Sequence, residues 1–164
     1  MRTAFCFDVD GTLTRTEILP CIAAEHDIAD EMATLTRATM DGVIPFEASF
    51  RLRCAILGQI NPNRVKSIVS EIPLDHNLVK FIKKRPEDCF LVTGNLDMWI
   101  EPIVASCGCG LYSSSAEFVN GRLKVNNVLN KKDAIHDLRM NKGFDRIVAV
   151  GDGANDRSML SAAD

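Results

Sequence analysis

Asp8 and Asp10 stand two positions apart, directly after the short apolar run Thr3 to Phe7. On an extended chain they project to the same side while Val9 turns to the other. One carboxylate can then attack an electrophile while the other handles a leaving-group proton, a division that suits covalent catalysis followed by hydrolysis. More acid lies at Asp152 and Asp156, in Gly151-Asp152-Gly153-Ala154-Asn155-Asp156. Thr93-Gly94-Asn95 adds a hydroxyl, and Lys131 or Lys132 adds an ammonium near a helix start. Carboxylates gathered closely repel one another and need a cation or protons. An all-oxygen ligand set suits Mg²⁺, which keeps waters and takes a few carboxylates plus a phosphate oxygen. A metal, a lysine, a hydroxyl and backbone N–H groups around a carboxylate fit phosphoryl transfer.

These groups meet only if the chain brings their segments together. Thr3–Phe7, Cys89–Thr93 and Arg146–Val150 are short apolar runs, each ending in a polar, Gly-containing turn. Buried parallel strands read this way, and strand, turn and helix in repetition predict an α/β fold with a Rossmann-like parallel sheet. Ligands in such sheets bind beyond the carboxyl ends of the strands, where all the residues above fall. Residues 15–75 show helical periodicity without a strand signal and are punctuated by Gly42, Gly58 and Pro62. They predict about four helices, near Glu17–His26, Asp30–Met40 and Phe46–Leu57 and after Asn61-Pro62, forming a helical cap over one end of the sheet. The expected core is 1–14 plus 76–164. Asn120-Gly121 between Phe118 and Leu123 predicts a hairpin with a type I′ turn.

The 164 residues make one ordinary domain with at most a small second lobe, and 46% hydrophobic with 25% charged residues excludes wholesale disorder. A net charge of -3 gives no bulk attraction for nucleic acid or anionic lipid. No run approaches a membrane span or a signal-peptide core. Six cysteines scattered through apolar stretches read as buried free thiols, which fits a reducing cytoplasm. His26, His76 and His136 read as structural or exposed, and Trp99 as packing.

The order and wording of the motifs resemble the haloacid dehalogenase superfamily of aspartate-nucleophile phosphatases. Asp8-Val9-Asp10-Gly11-Thr12 matches its first motif and Leu91-Val92-Thr93-Gly94 its second. Lys131, in Asn130-Lys131-Lys132-Asp133-Ala134-Ile135, sits at the third-motif lysine, and Gly151–Asp156 matches the fourth. The cap after the first motif, the segment Thr36–Leu57 and the form of the fourth motif narrow the resemblance to the phosphoserine phosphatase branch. The resemblance implies an aspartyl-phosphate on Asp8, with Asp10 as acid and then base. It implies Mg²⁺ held by Asp8, the Asp10 carbonyl and Asp152, with Asp156 in support. Thr93, the Gly94 amide, Lys131 and Asn155 would hold the phosphoryl oxygens, while Glu17 faces a substrate ammonium and Arg53 a carboxylate.

The sequence departs from the branch in three places. Thr93-Gly94-Asn95 stands where phosphoserine phosphatases usually have Ser-Gly-Gly, so Asn95 narrows the space beside the phosphate. The family pattern usually runs on past Ser161–Asp164 into another strand and helix. Pro102 falls inside the helix expected after the second motif, which should start late or kink there. Several of these residues also have a plainer reading: Asp10 as a helix cap, Thr93 as an ordinary strand residue, Lys131 and Lys132 as solvated charges, Asp156 and Glu17 as first-turn acids, and Arg51 or Arg53 as a surface charge. Two other functions stand open at this point. One is the same chemistry on a different small phosphomonoester or acceptor; the other is a non-enzymatic relative that binds a metabolite or partner.

Overall fold

The computed structural model describes the backbone of residues 1–164 and every side chain except that of Met40. A five-stranded sheet runs β4-β3-β2-β1-β5. Its members are β1 (Thr3–Phe7), β2 (Cys89–Leu96), β3 (Gly110–Val119), β4 (Arg122–Asn127) and β5 (Arg146–Val150). β1 pairs in parallel with β2 and β5, β2 in parallel with β3, and only β3 with β4 is antiparallel. The α/β class expected from the apolar runs is the class observed.

Successive side chains of a strand point to opposite faces, which explains why β1 is apolar throughout. Ala4 and Cys6 face one cluster with Ile135, Leu138 and Met159, from α7 (Lys131–Met140) and α8 (Arg157–Ala162). Phe7 faces the other cluster with Ile82, Trp99 and Ile103, from α5 (His76–Lys83) and α6 (Asp97–Cys107). That second cluster continues without a break into α1 (Ile18–Ala24), α2 (Ala29–Met40), α3 (Phe46–Leu57) and α4 (Pro62–Ser70). Asn61 caps α4 by accepting the Asn63 N–H at 2.9 Å, with Pro62 at the first helical position.

The helical insertion is tied to the sheet at both ends. Thr14 and Leu74 form an isolated antiparallel bridge, and the Asp75 N–H donates to the Leu13 carbonyl at 2.8 Å. On the far side Arg51 Nη1 donates to the Val125 carbonyl of β4 at 2.6 Å. The Asn120-Gly121 turn has φ of 51° and 74°, the two positive values a type I′ turn requires.

Four elements depart from expectation. α5 and the first half of β3 carry no strong pattern: α5 is signalled only by Asp75, whose side chain accepts from the Asn77 and Leu78 N–H groups. Residues 110–113 are half-buried and polar enough to hide a strand. α6 starts at Asp97 and runs through Pro102 to Cys107, so the proline neither delays nor ends it. β2 does not stop at Thr93 but continues to Leu96, with its pairing to β3 interrupted between Val92 and Leu96. There Thr93, Gly94 and Asn95 oppose the single residue Ser113, a bulge of the kind that re-aims side chains.

Candidate active site

Asp8 directly follows Phe7, the last residue paired in β1, and its N–H donates to the Val150 carbonyl at 2.9 Å. After it the chain does not stay extended, contrary to the simple two-apart geometry. Val9–Leu13 form one wide turn closed by the Thr14 N–H on the Val9 carbonyl at 2.9 Å. Gly11 makes the turn feasible: its φ is +74°, and a Cβ there would collide with the carboxylate of Asp152. Both aspartates still reach the same cavity, Asp8 from the strand end and Asp10 from the turn.

Lys131, the first residue of α7, is buried and places Nζ at 2.5 Å from Asp8 Oδ1 and 2.5 Å from Asp156 Oδ1. Lys132 is exposed, which separates the two lysines that spacing leaves equivalent. Asp156 is 1% exposed and its other oxygen accepts the Gly153 N–H at 2.9 Å, so it orients the lysine and closes the 151–156 loop. Asp152 is exposed, with the Thr12 hydroxyl donating to Oδ1 at 3.4 Å. Asp8, Asp152 and Asp156 each present an oxygen within 4.8 Å of the others. That hard, all-oxygen donor set fits a divalent cation. The Asp10 carboxylate is not in the cluster.

Burial pushes the Asp8 carboxyl up to about 6, although the Lys131 ammonium pulls the other way. Burial also lowers the ammonium's affinity for its proton, but the two carboxylates outweigh it and hold Lys131 above its ordinary value. Burial pushes Asp10 up to about 7, against the Ile18 N–H that donates to its Oδ1 at 2.7 Å. This hydrogen bond makes Asp10 the cap of α1 as well as a cavity residue. Its Oδ2 accepts from the side-chain amide of Asn95.

The cavity has a volume of about 260 Å³. The insertion contributes Glu17 and Arg53, and the strand ends contribute Gly94 and Asn155. Eight of the nine residues singled out for catalysis, phosphate, metal or substrate contact besides Asp8 thus surround it with Asp8. Thr93 alone does not: it is fully buried, and its hydroxyl accepts the Asn95 N–H at 3.1 Å. Arg53 is half-buried, and its Nε donates only to the Ser49 carbonyl, at 3.4 Å. Among the described residues neither Arg53 nor Glu17 has an ion-pair partner, whereas Arg51 pairs with Glu47 at 2.8 Å. Desolvation lowers the Arg53 value, with Glu17 acting in the opposite sense. Leu19, Phe46, Phe50 and Ser158 also line the cavity and were not anticipated. Phe46 and Phe50 stack with ring centroids 6.1 Å apart, an i, i+4 pair that helical spacing signals as ordinary core.

All six cysteines are free thiols. The three histidines are exposed, and Trp99 is buried in the core. Among the described residues no helix is long and apolar enough to cross a membrane.

The chain is similar in sequence and fold to known proteins. The chain is 28% identical to the phosphoserine phosphatase of Archaeoglobus fulgidus over 169 residues, covering 96% of this chain and 49% of that one. It is 26% identical to the human phosphoserine phosphatase over 177 residues, covering 98% and 78%. It spans about half the length of the Archaeoglobus relative and 41% of a Streptomyces coelicolor phosphoserine phosphatase to which it is 29% identical over 168 residues, 95% of this chain. A solved haloacid dehalogenase family hydrolase from Salmonella enterica serovar Typhi superposes with a TM-score of 0.88 at 25% identity, covering 98% and 60%. A phospho-aspartyl intermediate analogue of phosphoserine phosphatase superposes with a TM-score of 0.81 at 25% identity, covering 99% and 83%. The model of the haloacid dehalogenase-like hydrolases matches residues 5–161, and the chain belongs to that family.

Proposed function

We propose that this protein is a Mg²⁺-dependent phosphomonoester hydrolase acting through an aspartyl-phosphate on Asp8, with phosphoserine as its substrate. The observation that carries the reading is the position of Asp8. It is buried, held by Lys131, grouped with two further carboxylates, and set at the floor of a cavity whose insertion side bears Glu17 and Arg53.

Asp8 attacks phosphorus while Asp10 gives its proton to the leaving oxygen; Asp10 then takes a proton from the water that releases phosphate. Lys131 and the Gly94 and Asn155 groups hold phosphoryl oxygens, and Thr93 acts from beneath by fixing the bulge that presents Gly94. Asp8, Asp152 and the Asp10 carbonyl would hold Mg²⁺, with Asp156 in support, and the bound cation supplies charge neutralisation for the phosphoryl oxygens. In the cap, residues 15–75, the unpaired Arg53 guanidinium offers a fork to a carboxylate, and Glu17 receives an ammonium. The phosphoserine phosphatase names of the relatives support this substrate class. Free thiols support the cytoplasm as the compartment.

Phosphate release from a panel of phosphomonoesters, with Mg²⁺ and with chelator, tests the reading. The expected result is turnover only with Mg²⁺ and the highest kcat/KM on phosphoserine. No phosphate from any ester in Mg²⁺ overturns the activity, and a better ester lacking the amino-acid groups overturns the substrate.

A further inference from the structure

Asn95 is 4% exposed and lines the cavity beside Asp8 and Asp10. An amide placed there without partners would cost free energy, so its hydrogen bonds indicate what it does. The side-chain N–H donates to Asp10 Oδ2, and the backbone N–H donates to the Thr93 hydroxyl at 3.1 Å. The first bond ties Asn95 to Asp10, and the second stiffens the bulge from which it reaches. Asp10 Oδ1 meanwhile accepts the Ile18 N–H at 2.7 Å.

A carboxyl held by one donor can turn about its Cβ–Cγ bond; a carboxyl held at both oxygens, from two different elements, cannot. We infer that Asn95 is a positioning residue: with the Ile18 N–H it fixes the plane of the Asp10 carboxyl so that its proton meets the leaving oxygen. The inference rests on the phosphomonoesterase reading above. In that step the Asp8 oxygen–phosphorus bond forms and the phosphorus–ester oxygen bond breaks. The Asp10 proton passes to the departing oxygen, which leaves as an alcohol or phenol, and Asp10 is left as a carboxylate. Proton transfer from a well-placed acid matters in proportion to the basicity of the leaving oxygen. Asn95 therefore matters most for esters of weakly acidic alcohols and least for esters of acidic phenols.

The test compares phenyl phosphate with p-nitrophenyl phosphate, two esters of similar shape whose leaving groups differ in basicity. kcat/KM is read in Mg²⁺ at one pH, because it reports the step up to aspartyl-phosphate and leaves out the later hydrolysis. Asn95→Leu keeps the branched shape and loses the donor; Asn95→Gly removes the side chain and serves the same reading where Asn95→Leu does not fold. The expected result is a fall in the phenyl to p-nitrophenyl kcat/KM ratio of about threefold or more. A smaller change overturns the inference, because a structural role lowers both esters alike. Wild type that releases phosphate from no ester, phosphoserine included, overturns the phosphomonoesterase reading and this inference together; a wild type active on both aryl esters with an unchanged variant ratio overturns this inference alone.

Discussion

Lys131 Nζ meets Asp8 Oδ1 at 2.5 Å across 123 positions of sequence. The contact exists because β1 and the start of α7 open at the same end of the sheet, and Asp156 Oδ1 takes the same ammonium from its other side. The site is therefore an ion triad before any substrate or cation enters. Breaking a buried pair by removing one partner leaves an uncompensated charge.

The first prediction concerns that triad. Lys131→Met should lower unfolding stability by about 3–5 kcal/mol, read as a lower urea midpoint without added cation. The double variant Lys131→Met/Asp8→Asn should lose less than the sum of the single losses, because one of the stranded charges is gone. Strict additivity would contradict the coupling.

The second prediction concerns the nucleophile. Asp8→Asn keeps the size of the side chain and removes the attacking charge, so turnover should vanish while the circular dichroism spectrum is retained. Wild type treated with beryllium fluoride and Mg²⁺ should carry an acyl-phosphate mimic on Asp8. Substantial turnover by folded Asp8→Asn rules out the covalent route.

The third prediction concerns pH. Attack needs Asp8 as carboxylate and leaving-group protonation needs Asp10 as acid, with values of about 6 and about 7 set mainly by burial. kcat/KM should fall on the alkaline side as pH rises through about 7, where Asp10 loses its proton. A cation beside Asp8 favours its carboxylate and moves the acid limb below about 6. Stability has its own sign. A carboxyl whose value is raised by folding contributes stability fully below its unfolded value and loses that contribution as pH rises through the folded one. The stability of wild type relative to Asp10→Asn should therefore decline as pH rises toward 7, and a flat difference would contradict the burial argument.

Much of this site is written in local sequence. β1 is apolar on both faces because both faces are covered, and the apolar runs of β1 and the edge strand β5 lead into the polar ends that carry Asp8 and Asp152. Asn61 and Asp75 cap helices through their own side chains. What could not be read depends on contacts distant in the chain. The bulge at Thr93–Asn95 exists only relative to β3, so both the turning of Asn95 to Asp10 and the burial of Thr93 were hidden. Lys131 and its exposed neighbour differ only in which side of α7 meets the sheet. Arg51 and Arg53, two apart on α3, point about 200° around the helix from each other, and only the tertiary fold decides which one sees the cavity.

That last pair gives the fourth prediction. Arg51 donates to the Val125 carbonyl at 2.6 Å and pairs with Glu47, so it fastens α3 to β4. Arg53 lines the cavity and, among the described residues, has no acidic partner. Arg51→Ala should cost about 1 kcal/mol of stability and change kcat/KM for phosphoserine and p-nitrophenyl phosphate by the same factor. Arg53→Ala should lower kcat/KM for phosphoserine roughly ten- to a hundredfold more than for p-nitrophenyl phosphate, the cost of losing a charge-assisted pair of about 1.5–3 kcal/mol. The aryl ester has no carboxylate and depends only on the strand-end groups. Equal losses in Arg53→Ala would give Arg53 a role in cap closure instead. A selective loss in Arg51→Ala would exchange the roles of the two arginines.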